Sequence, residues 1–341
     1  MLISVIIPAF NPGPEFRECL AGLSDSGYRV LEVLVVDDCS HPNISVDNTP
    51  LPLKVIRSET PVGPGVARNI GAGAAQGDIL LFIDSDIVIK SDVISKIVER
   101  FKKDKNVAAI SGFYKFDKRY DNYSTLYHGA YFEYKHESIP EEGTFVDTAI
   151  WAIRKNIFDS TVGFPDGMFT SEDLEYGITL YRKGYKLCAD RRIQGIHIKS
   201  ITFKGWVKNR FLCCANMVMA RLKRESGESE KVAGAKESVF QTINFSQIIS
   251  PFVAWGIVLC LAINFLTDLP FMVAGTIIIL FLYIIINFRY AAFIVSKHGL
   301  RGLFLLSFIV CEHLITPGAI LFGLMRTLRR QPSFIYRGAG K

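Results

Sequence analysis

Carboxylates follow two short apolar runs in the first hundred residues, where they could support metal or ligand chemistry. Asp84-Ser85-Asp86 follows one run, and Asp37-Asp38 follows an earlier one. Carboxylate oxygens suit a hard divalent cation such as Mg²⁺ or Mn²⁺, which can bridge a diphosphate and neutralise it as it departs. Asp37-Asp38 could instead recognise a base or a ribose through N–H and hydroxyl groups. Each motif alone also fits a solvated turn.

A second carboxylate pair, Glu172-Asp173, stands at the start of a predicted helix. The helix dipole stabilises acids at this end whatever their chemistry. Transfer of a group to a hydroxyl, however, requires a positioned base, and one of this pair is the natural candidate. His197 follows a short apolar strand. It is either a structural residue or a further contact to a metal or a diphosphate.

A glycine-containing run opens another predicted helix and carries Arg68 and Asn69. Gly63 and Gly65 permit close approach of the backbone to a ligand. The guanidinium of Arg68 is planar and permanently charged, which suits a phosphate or a bound nucleotide. The same residue could also lie on the surface of an amphipathic helix.

Strands and helices alternate over the first 110 residues, which predicts an α/β fold with right-handed crossovers and a mostly parallel sheet. Ligands of such sheets bind beyond the carboxyl ends of the strands, where most of these motifs fall. From about residue 124 to 197 the pattern becomes mixed. The predicted strands are Ile3–Ile7, Leu31–Val36, Leu53–Ile56, Ile79–Ile83 and Val107–Ile110. The predicted helices are Glu15–Leu23, Gly65–Ala75, Asp92–Phe101, Glu172–Lys183 and Thr202–Arg224.

Composition narrows the class of protein. Of the 341 residues, 49% are hydrophobic, which is high for a wholly soluble enzyme and indicates membrane segments. The seven cysteines are scattered, which indicates reduced thiols in a cytosolic compartment. A dehydrogenase is poorly supported because no Gly-x-Gly-x-x-Gly follows the first strand. A nucleic-acid partner is not expected, because the positive charge concentrates beside the apolar segments.

The composition changes near residue 240, and the chain divides into four regions. The regions are an α/β domain over 1–225 that includes a basic helix at 202–224, a polar linker at 226–240, a membrane hairpin at 241–290 with helices at 248–266 and 269–288, and a segment at 291–341 that contains a third apolar run at 302–325 and a basic tail.

The distribution of Lys and Arg predicts the orientation of these regions. Cationic residues flank the hairpin on the side of the α/β domain, and none lies at its tip, so the positive-inside rule places that domain in the cytoplasm. The protein is therefore expected in the cell membrane as a multi-pass protein. The run 302–325 contains Glu312, His313 and a Pro317-Gly318 break, which favours a re-entrant or interfacial segment over a third span.

The ordered set of motifs resembles glycosyltransferase family 2, whose members have the GT-A fold, a Rossmann-like sheet that binds nucleotide-diphosphate sugars. The resemblance covers residues 3 to about 212. The motifs are Pro8-Ala9-Phe10-Asn11, Val35-Val36-Asp37-Asp38-Cys39-Ser40, Ala67-Arg68-Asn69-Ile70-Gly71, Asp84-Ser85-Asp86, Glu172-Asp173 and the late His197.

The resemblance implies roles for individual residues. Asp173 would be the catalytic base, with Glu172 beside it. Asp86 and His197 would hold Mn²⁺ or Mg²⁺. The donor would lie against Pro8, Asn11, Asp37, Asp38, Arg68, Asn69, Asp84 and Ser85. The acceptor side would include Asp147 and Trp151, and the basic helix adds Lys204 and Arg210, which could attract anionic headgroups or a lipid phosphate, or could simply set the topology.

The whole layout is similar to family members that glycosylate polyprenyl phosphates or glycolipids. It implies inverting transfer from a UDP- or GDP-sugar to a lipid or lipid-linked acceptor at the cytoplasmic face. A processive polysaccharide synthase is an alternative, although the sequence lacks a Gln-x-x-Arg-Trp motif and has few membrane helices. A non-catalytic nucleotide-sugar-binding scaffold is another, against which the intact Asp86 and Asp173 speak.

Overall fold

The computed structural model describes residues 1–168, 170–225, 245–267 and 270–329. The predicted linker at 226–240 lies outside the described residues. So do residue 268 at the tip of the predicted hairpin and the part of the basic tail from residue 330 onward.

An eight-stranded sheet forms the framework of the N-terminal domain, with strand order β3-β2-β1-β4-β7-β6-β8-β5. The strands are β1 Ile3–Ala9, β2 Glu32–Asp37, β3 Leu53–Arg57, β4 Ile79–Ile83, β5 Ile87–Ile89, β6 Val107–Phe116, β7 Ile150–Arg154 and β8 Lys186–His197. The helices of this domain are α1 Glu15–Ser24, α2 Pro64–Ala74, α3 Val93–Lys103, α4 Tyr123–Glu137, α5 Lys155–Asp159 and α6 Glu172–Arg182.

The first four strands of the sheet order are parallel, as the alternating pattern predicts. β1 pairs in parallel with β2 and β4, and β2 pairs in parallel with β3. The other half is mixed, because β7 is inserted antiparallel between β4 and β6. The prediction of a mostly parallel sheet is therefore correct only for this first half.

Helices cover both faces of the parallel half, which explains why its strands are continuously apolar. On one face, Val5 and Ile7 of β1 belong to the core beneath α1 and α3, and on the other, Ile6 packs beneath α2. α2 approaches β1 closely, since a Cβ at Gly71 would lie 2.5 Å from Cγ2 of Ile6. The predicted bounds of α2 and α6 agree with the structure to within one residue at each end.

Four long helices follow the sheet: α7 Phe203–Glu225, α8 Phe245–Thr267, α9 Pro270–His298 and α10 Leu300–Leu328. Within the described residues, α8, α9 and α10 are long and apolar enough to cross a membrane. α10 continues through Pro317, so the predicted break at this residue is absent.

The basic helix α7 lies parallel to α10. The rings of Trp206 and Phe308 are 5.0 Å apart, and those of Phe211 and Phe322 are 5.4 Å apart. Contacts thus advance in the same direction along both helices, and Trp206 is fully buried between them and α4. α7 therefore joins the sheet domain to the apolar helices.

Candidate active site

Arg68 links two other predicted site residues, Asp84 and Glu172, at the carboxyl edge of the sheet. Its Nη2 donates to Oδ1 of Asp84 at 2.7 Å, and its Nη1 donates to Oε1 of Glu172 at 2.7 Å. Burial opposes the charge of Arg68, but the two carboxylates outweigh it and raise the pKa of the guanidinium. Arg68 is thus a buried cation that holds the end of β4 against the start of α6.

Glycine makes this close approach of α2 and α6 possible. A Cβ at Gly65 would lie 3.1 Å from Cγ of Glu172 and 3.3 Å from Cβ of Phe164. A larger side chain at this position would push α6 away from α2, and Arg68 would then lose its contact with Glu172.

Asp173 has the environment of a base that works near neutral pH. Burial, followed by the negative charges of Glu172 and Asp147, raises the pKa of Asp173 to about 7. The preceding residue, Ser171, has a φ of 65°, a left-handed conformation that is costly for a non-glycine residue. Because the neighbouring carboxylate of Glu172 is committed to Arg68, Asp173 is the better candidate for the base, and Glu172 tunes and positions it.

Asp147, predicted on the acceptor side, belongs to the same electrostatic cluster. Its Oδ1 accepts a hydrogen bond from the amide of Ala149 at 3.1 Å, and its Oδ2 lies 3.9 Å from Nε2 of His136. Burial disfavours its charge, but contact with His136 lowers the pKa of Asp147, so it remains an anion near Asp173. Burial and the same carboxylate raise the pKa of Tyr114 well above its usual value.

Asp86 and His197 meet at the junction of β5 and β8, where Ile87 pairs with His197. Oδ1 of Asp86 lies 3.2 Å from Nε2 of His197, and its Oδ2 accepts from Nζ of Lys199 at 2.9 Å. Burial opposes ionisation of Asp86, but His197 and Lys199 outweigh it and hold its pKa far below the usual range.

This pair fits a divalent cation. Both ring nitrogens of His197 are buried, and neither makes a hydrogen bond to another described residue. A ring nitrogen beside a carboxylate oxygen can supply two ligands. Among the described residues, no group of three or more His, Cys, Asp and Glu could hold a metal. Water or a bound phosphate could supply further oxygen ligands.

Three predicted donor-binding residues, Asp38, Asn11 and Ser85, lie in the loops at this edge of the sheet. Oδ1 and Oδ2 of Asp38 accept from the amides of Val62 and Gly63 at 2.6 and 3.0 Å, which fixes the loop before α2. Asn11 is exposed, and its Oδ1 accepts from the amide of His41 at 2.8 Å. Ser85 is partly exposed in the turn after β4. Their contact with a donor stays a prediction.

Asp37 has a structural role, and its predicted contact with a donor stays a prediction. Its Oδ1 accepts from the amide of Ser40 at 2.9 Å, and its Oδ2 accepts from Ile44 at 3.2 Å and from Arg57 at 2.5 Å. The side chain is 1% exposed. Asp37 therefore shapes the loop that carries Asp38.

Three further residues predicted to contact a ligand, namely Pro8, Asn69 and Trp151, are buried or bonded within the protein, and their ligand contacts stay predictions. Pro8 is buried inside β1, opposite Val36. The side-chain amide of Asn69 is bonded to both the amide and the carbonyl of Phe164, at 2.9 and 2.8 Å. Trp151 is 1% exposed and stacks on Phe82 at a ring distance of 5.5 Å, in the core.

The two predicted acceptor-side cations on α7 differ. Lys204 is exposed in the first turn. Arg210 forms an ion pair with Glu312 of α10, and its guanidinium lies 4.2 Å from the ring centroid of Tyr131. Arg210 therefore has a protein partner.

Sequence analysis missed several groups in the site, namely Tyr114, His136, Lys199 and the helix α4. A signal for α4 was present, because Asn122 caps it by accepting from the amide of Thr125 at 3.0 Å. Nothing in the local sequence distinguishes His136 or Lys199, whose partners lie on other elements.

Comparison with known sequences identifies the class of the N-terminal domain. Residues 4–161 match the family described as Glycosyl transferase family 2, in agreement with the resemblance of the motifs that lie in this segment.

Two relatives illustrate the extent of the similarity. An uncharacterized glycosyltransferase of Haemophilus influenzae is 33% identical over 107 residues, which cover 31% of this chain and 36% of that protein. Glycosyltransferase GlyG of Streptococcus pneumoniae is 27% identical over 130 residues, which cover 36% of this chain and 42% of GlyG. The chain thus spans less than half the length of these relatives.

Among solved structures, the mannosyltransferase PcManGT from Pyrobaculum calidifontis, in complex with GDP-Man and Mn²⁺, superposes with a TM-score of 0.55. The two chains are 17% identical, and the alignment covers 96% of this chain and 86% of PcManGT. The similarity establishes the GT-A fold.

Proposed function

We propose that this protein is an inverting glycosyltransferase that moves a sugar from a UDP- or GDP-sugar to a lipid or lipid-linked acceptor at the cytoplasmic face of a membrane. The observation that carries the proposal is the carboxylate of Asp173, with its pKa raised to about 7, in a cluster with the buried Glu172–Arg68–Asp84 network. A cluster of this kind supplies a base for an acceptor hydroxyl.

The residues divide the chemistry between them. Asp173 accepts the proton of the acceptor hydroxyl while the oxygen forms a bond to the anomeric carbon. The bond from that carbon to the diphosphate breaks on the opposite side, which inverts the configuration. Asp86 and His197 would hold Mn²⁺ or Mg²⁺, which neutralises the leaving diphosphate. Lys199, which is paired with Asp86, adds positive charge at the same edge.

The relatives support this choice of donor and metal only by analogy. PcManGT shares the fold and was solved with GDP-Man and Mn²⁺.

The proposal includes a membrane hairpin formed by α8 and α9. α4 packs against the end of α9, where the ring of Tyr134 lies 4.9 Å from Tyr290 and 5.3 Å from Phe293. Residues 270–289 of α9 precede these contacts and extend about 30 Å at about 1.5 Å per residue, the thickness of the hydrocarbon core. This hairpin would anchor the domain.

We propose that α10 lies at the interface and does not span the membrane. Its first turns contact α4, with Phe304 and Phe308 at 4.5 and 5.2 Å from Tyr123 and Tyr127. Glu312 also contacts α4, since it accepts a hydrogen bond from Tyr127. Residues 313–328 follow this last contact and extend only about 24 Å, short of the roughly 30 Å that a span requires. Trp206 and Phe211 of α7 accompany α10 over much of its length.

The proposed activity is tested with full-length protein purified in detergent. It is incubated with a panel of UDP- and GDP-sugars and Mn²⁺ or Mg²⁺, with and without membrane lipid extract. Metal-dependent release of one nucleotide that increases with lipid is the expected result. Nucleotide binding without turnover of any donor would favour the non-catalytic scaffold.

Variants assign the roles within this assay. Asp173→Asn is expected to lose at least about 100-fold of the transfer rate, the range of a general base, and to keep donor binding. Asp190→Asn is the matched control, because Asp190 is a buried acid paired with Arg192 on β8. Full transfer by Asp173→Asn contradicts the assignment of the base.

A further inference from the structure

Helix α7 lies between the apolar helix α10 and the segment that carries the candidate base. One side of α7 is fixed to α10, where a Cβ at Gly323 would lie 2.5 Å from the carbonyl oxygen of Ala215. Because packing is this close, α7 cannot shift independently of α10.

A carboxylate within the apolar helix strengthens this attachment. Glu312 accepts a hydrogen bond from Oη of Tyr127 at 2.7 Å with its Oε2, and its Oε1 pairs with Arg210. The side chains of Arg210 and Glu312 are 13% and 12% exposed. One carboxylate of α10 therefore binds α4 and α7 together.

Helix α7 also contacts the segment that precedes the candidate base Asp173. Asn216, which is 3% exposed, donates from Nδ2 to Oγ1 of Thr170 at 2.6 Å. Thr170 directly precedes the left-handed Ser171, which leads into α6. Cys213 lies on α7 between Arg210 and Asn216. Burial raises the pKa of Cys213 to about 11; the charges of Cys214, Asp173 and Glu172 add to this shift, and Arg210 opposes it.

Removal of Glu312 would leave Arg210 as a buried cation without its carboxylate partner, which is strongly unfavourable. Loss of Glu312 also removes the bond from α10 to Tyr127 of α4, so the expected relaxation is a joint movement of α7 and α10 relative to α4 that takes Asn216 with it. A left-handed Ser171 persists only while its surroundings enforce it, so the start of α6 is the segment most sensitive to such a movement.

We propose that Glu312 of α10 is a positioning residue for the candidate base Asp173, acting through Arg210, α7 and the Asn216–Thr170 hydrogen bond. The proposal rests on the proposed function for its catalytic meaning. The apolar helix α10, proposed to lie at the membrane interface, would then set the geometry of the active site and couple membrane contact to catalysis.

Two measurements on the full-length protein in detergent test this coupling. The first is hydrogen exchange of the amides at 170–175 without any ligand, and the second is the kcat and donor KM of transfer. The variants are Glu312→Gln, Glu312→Asp and Thr170→Val. His313→Ala is the matched control, because this neighbouring buried residue forms its hydrogen bond with Tyr283 of α9.

Glu312→Gln and Thr170→Val are both expected to speed exchange at 170–175 and to lower kcat by about tenfold to 100-fold, with little change in donor KM. Glu312→Asp keeps the charge and is expected to recover part of kcat. His313→Ala should change neither quantity at this segment.

Unchanged exchange at 170–175 in Glu312→Gln would overturn the coupling, whatever the activity. Equal effects of His313→Ala would also overturn it, because they would indicate general loosening of the apolar helices. Absence of transfer by the wild-type protein contradicts the proposed function instead, and the exchange measurement still decides the mechanical link.

Discussion

At the scale of single residues, the site is a balance of buried charges. Glu172 and Asp147 disfavour ionisation of Asp173, while Arg68 favours it. The net effect leaves a carboxylate whose proton affinity suits a general base, because a base works best with a pKa near the operating pH. The pKa of Asp86 is shifted in the opposite direction, because His197 and Lys199 lower it and keep the carboxylate ionised, as the proposed metal site requires.

This balance predicts the pH dependence of transfer. Below its pKa of about 7, Asp173 is protonated and cannot accept a proton, so kcat/KM should rise with pH through about 7 and then level off. Glu172→Gln removes the largest neighbouring negative charge and leaves Arg68, so the pKa of Asp173 should fall and the acid limb should move to lower pH. The measurement is the pH profile of kcat/KM for both proteins.

The pH profile is also measured for a control variant. Asp190→Asn removes a buried carboxylate outside this cluster and should leave the acid limb in place. If the acid limb of Glu172→Gln stays at about pH 7, Glu172 does not raise the pKa of Asp173 and the proposed balance of charges is wrong.

At the scale of elements, glycines on α2 decide how closely the helix packs against its neighbours. Gly65 admits the side chain of Glu172, and Gly71 admits Ile6 of β1. Gly73, on the same helix, faces open space, with nothing within 4 Å of an added Cβ. The helix that carries Arg68 is therefore positioned by small residues on one side only.

A matched pair of alanine variants tests this packing. Gly71→Ala inserts a methyl group 2.5 Å from Ile6 and is expected to lower the free energy of unfolding by about 1–3 kcal/mol. Gly73→Ala is expected to be neutral or to stabilise by up to about 1 kcal/mol, because alanine favours helix and meets no clash. Denaturant unfolding in detergent measures both, and equal effects of the two variants would contradict the packing argument.

At the scale of the whole molecule, the sheet domain and the apolar helices form one packed unit among the described residues. α4 and α7 contact α9 and α10 through the cluster around Tyr127, Trp206, Ile294 and Phe308. These contacts occupy the first turns of α10 and the last turns of α9. The remaining lengths support the proposed topology, in which α8 and α9 form a spanning hairpin and α10 lies at the interface.

Cysteine labelling of intact cells tests this topology. Thr267→Cys, at the end of α8, should react with an impermeant maleimide from outside. Leu328→Cys, at the exposed end of α10, should react only after permeabilisation, as should Val162→Cys on the sheet domain, where Val162 is 83% exposed. Labelling of residue 328 from outside would show that α10 spans the membrane.

The amino-acid sequence by itself determined those features that depend on neighbouring residues. The four parallel strands, the helices α2 and α6 and the apolar runs follow from local periodicity, and strand ends carry Asp38, Asp84 and Asp86. Ordered motifs also predicted the family. A local pattern is enough here because burial on both faces or in a bilayer requires continuous apolar segments.

Only the tertiary structure decided which polar groups meet. Arg68 and Glu172 are 104 positions apart, and Arg210 and Glu312 are 102 apart. The tertiary structure also decided the antiparallel insertion of β7, which buries Trp151, and the loop contacts made by Asp37 and Asn69. These outcomes depend on which elements become neighbours in space, and residue type and spacing along the chain do not encode that arrangement.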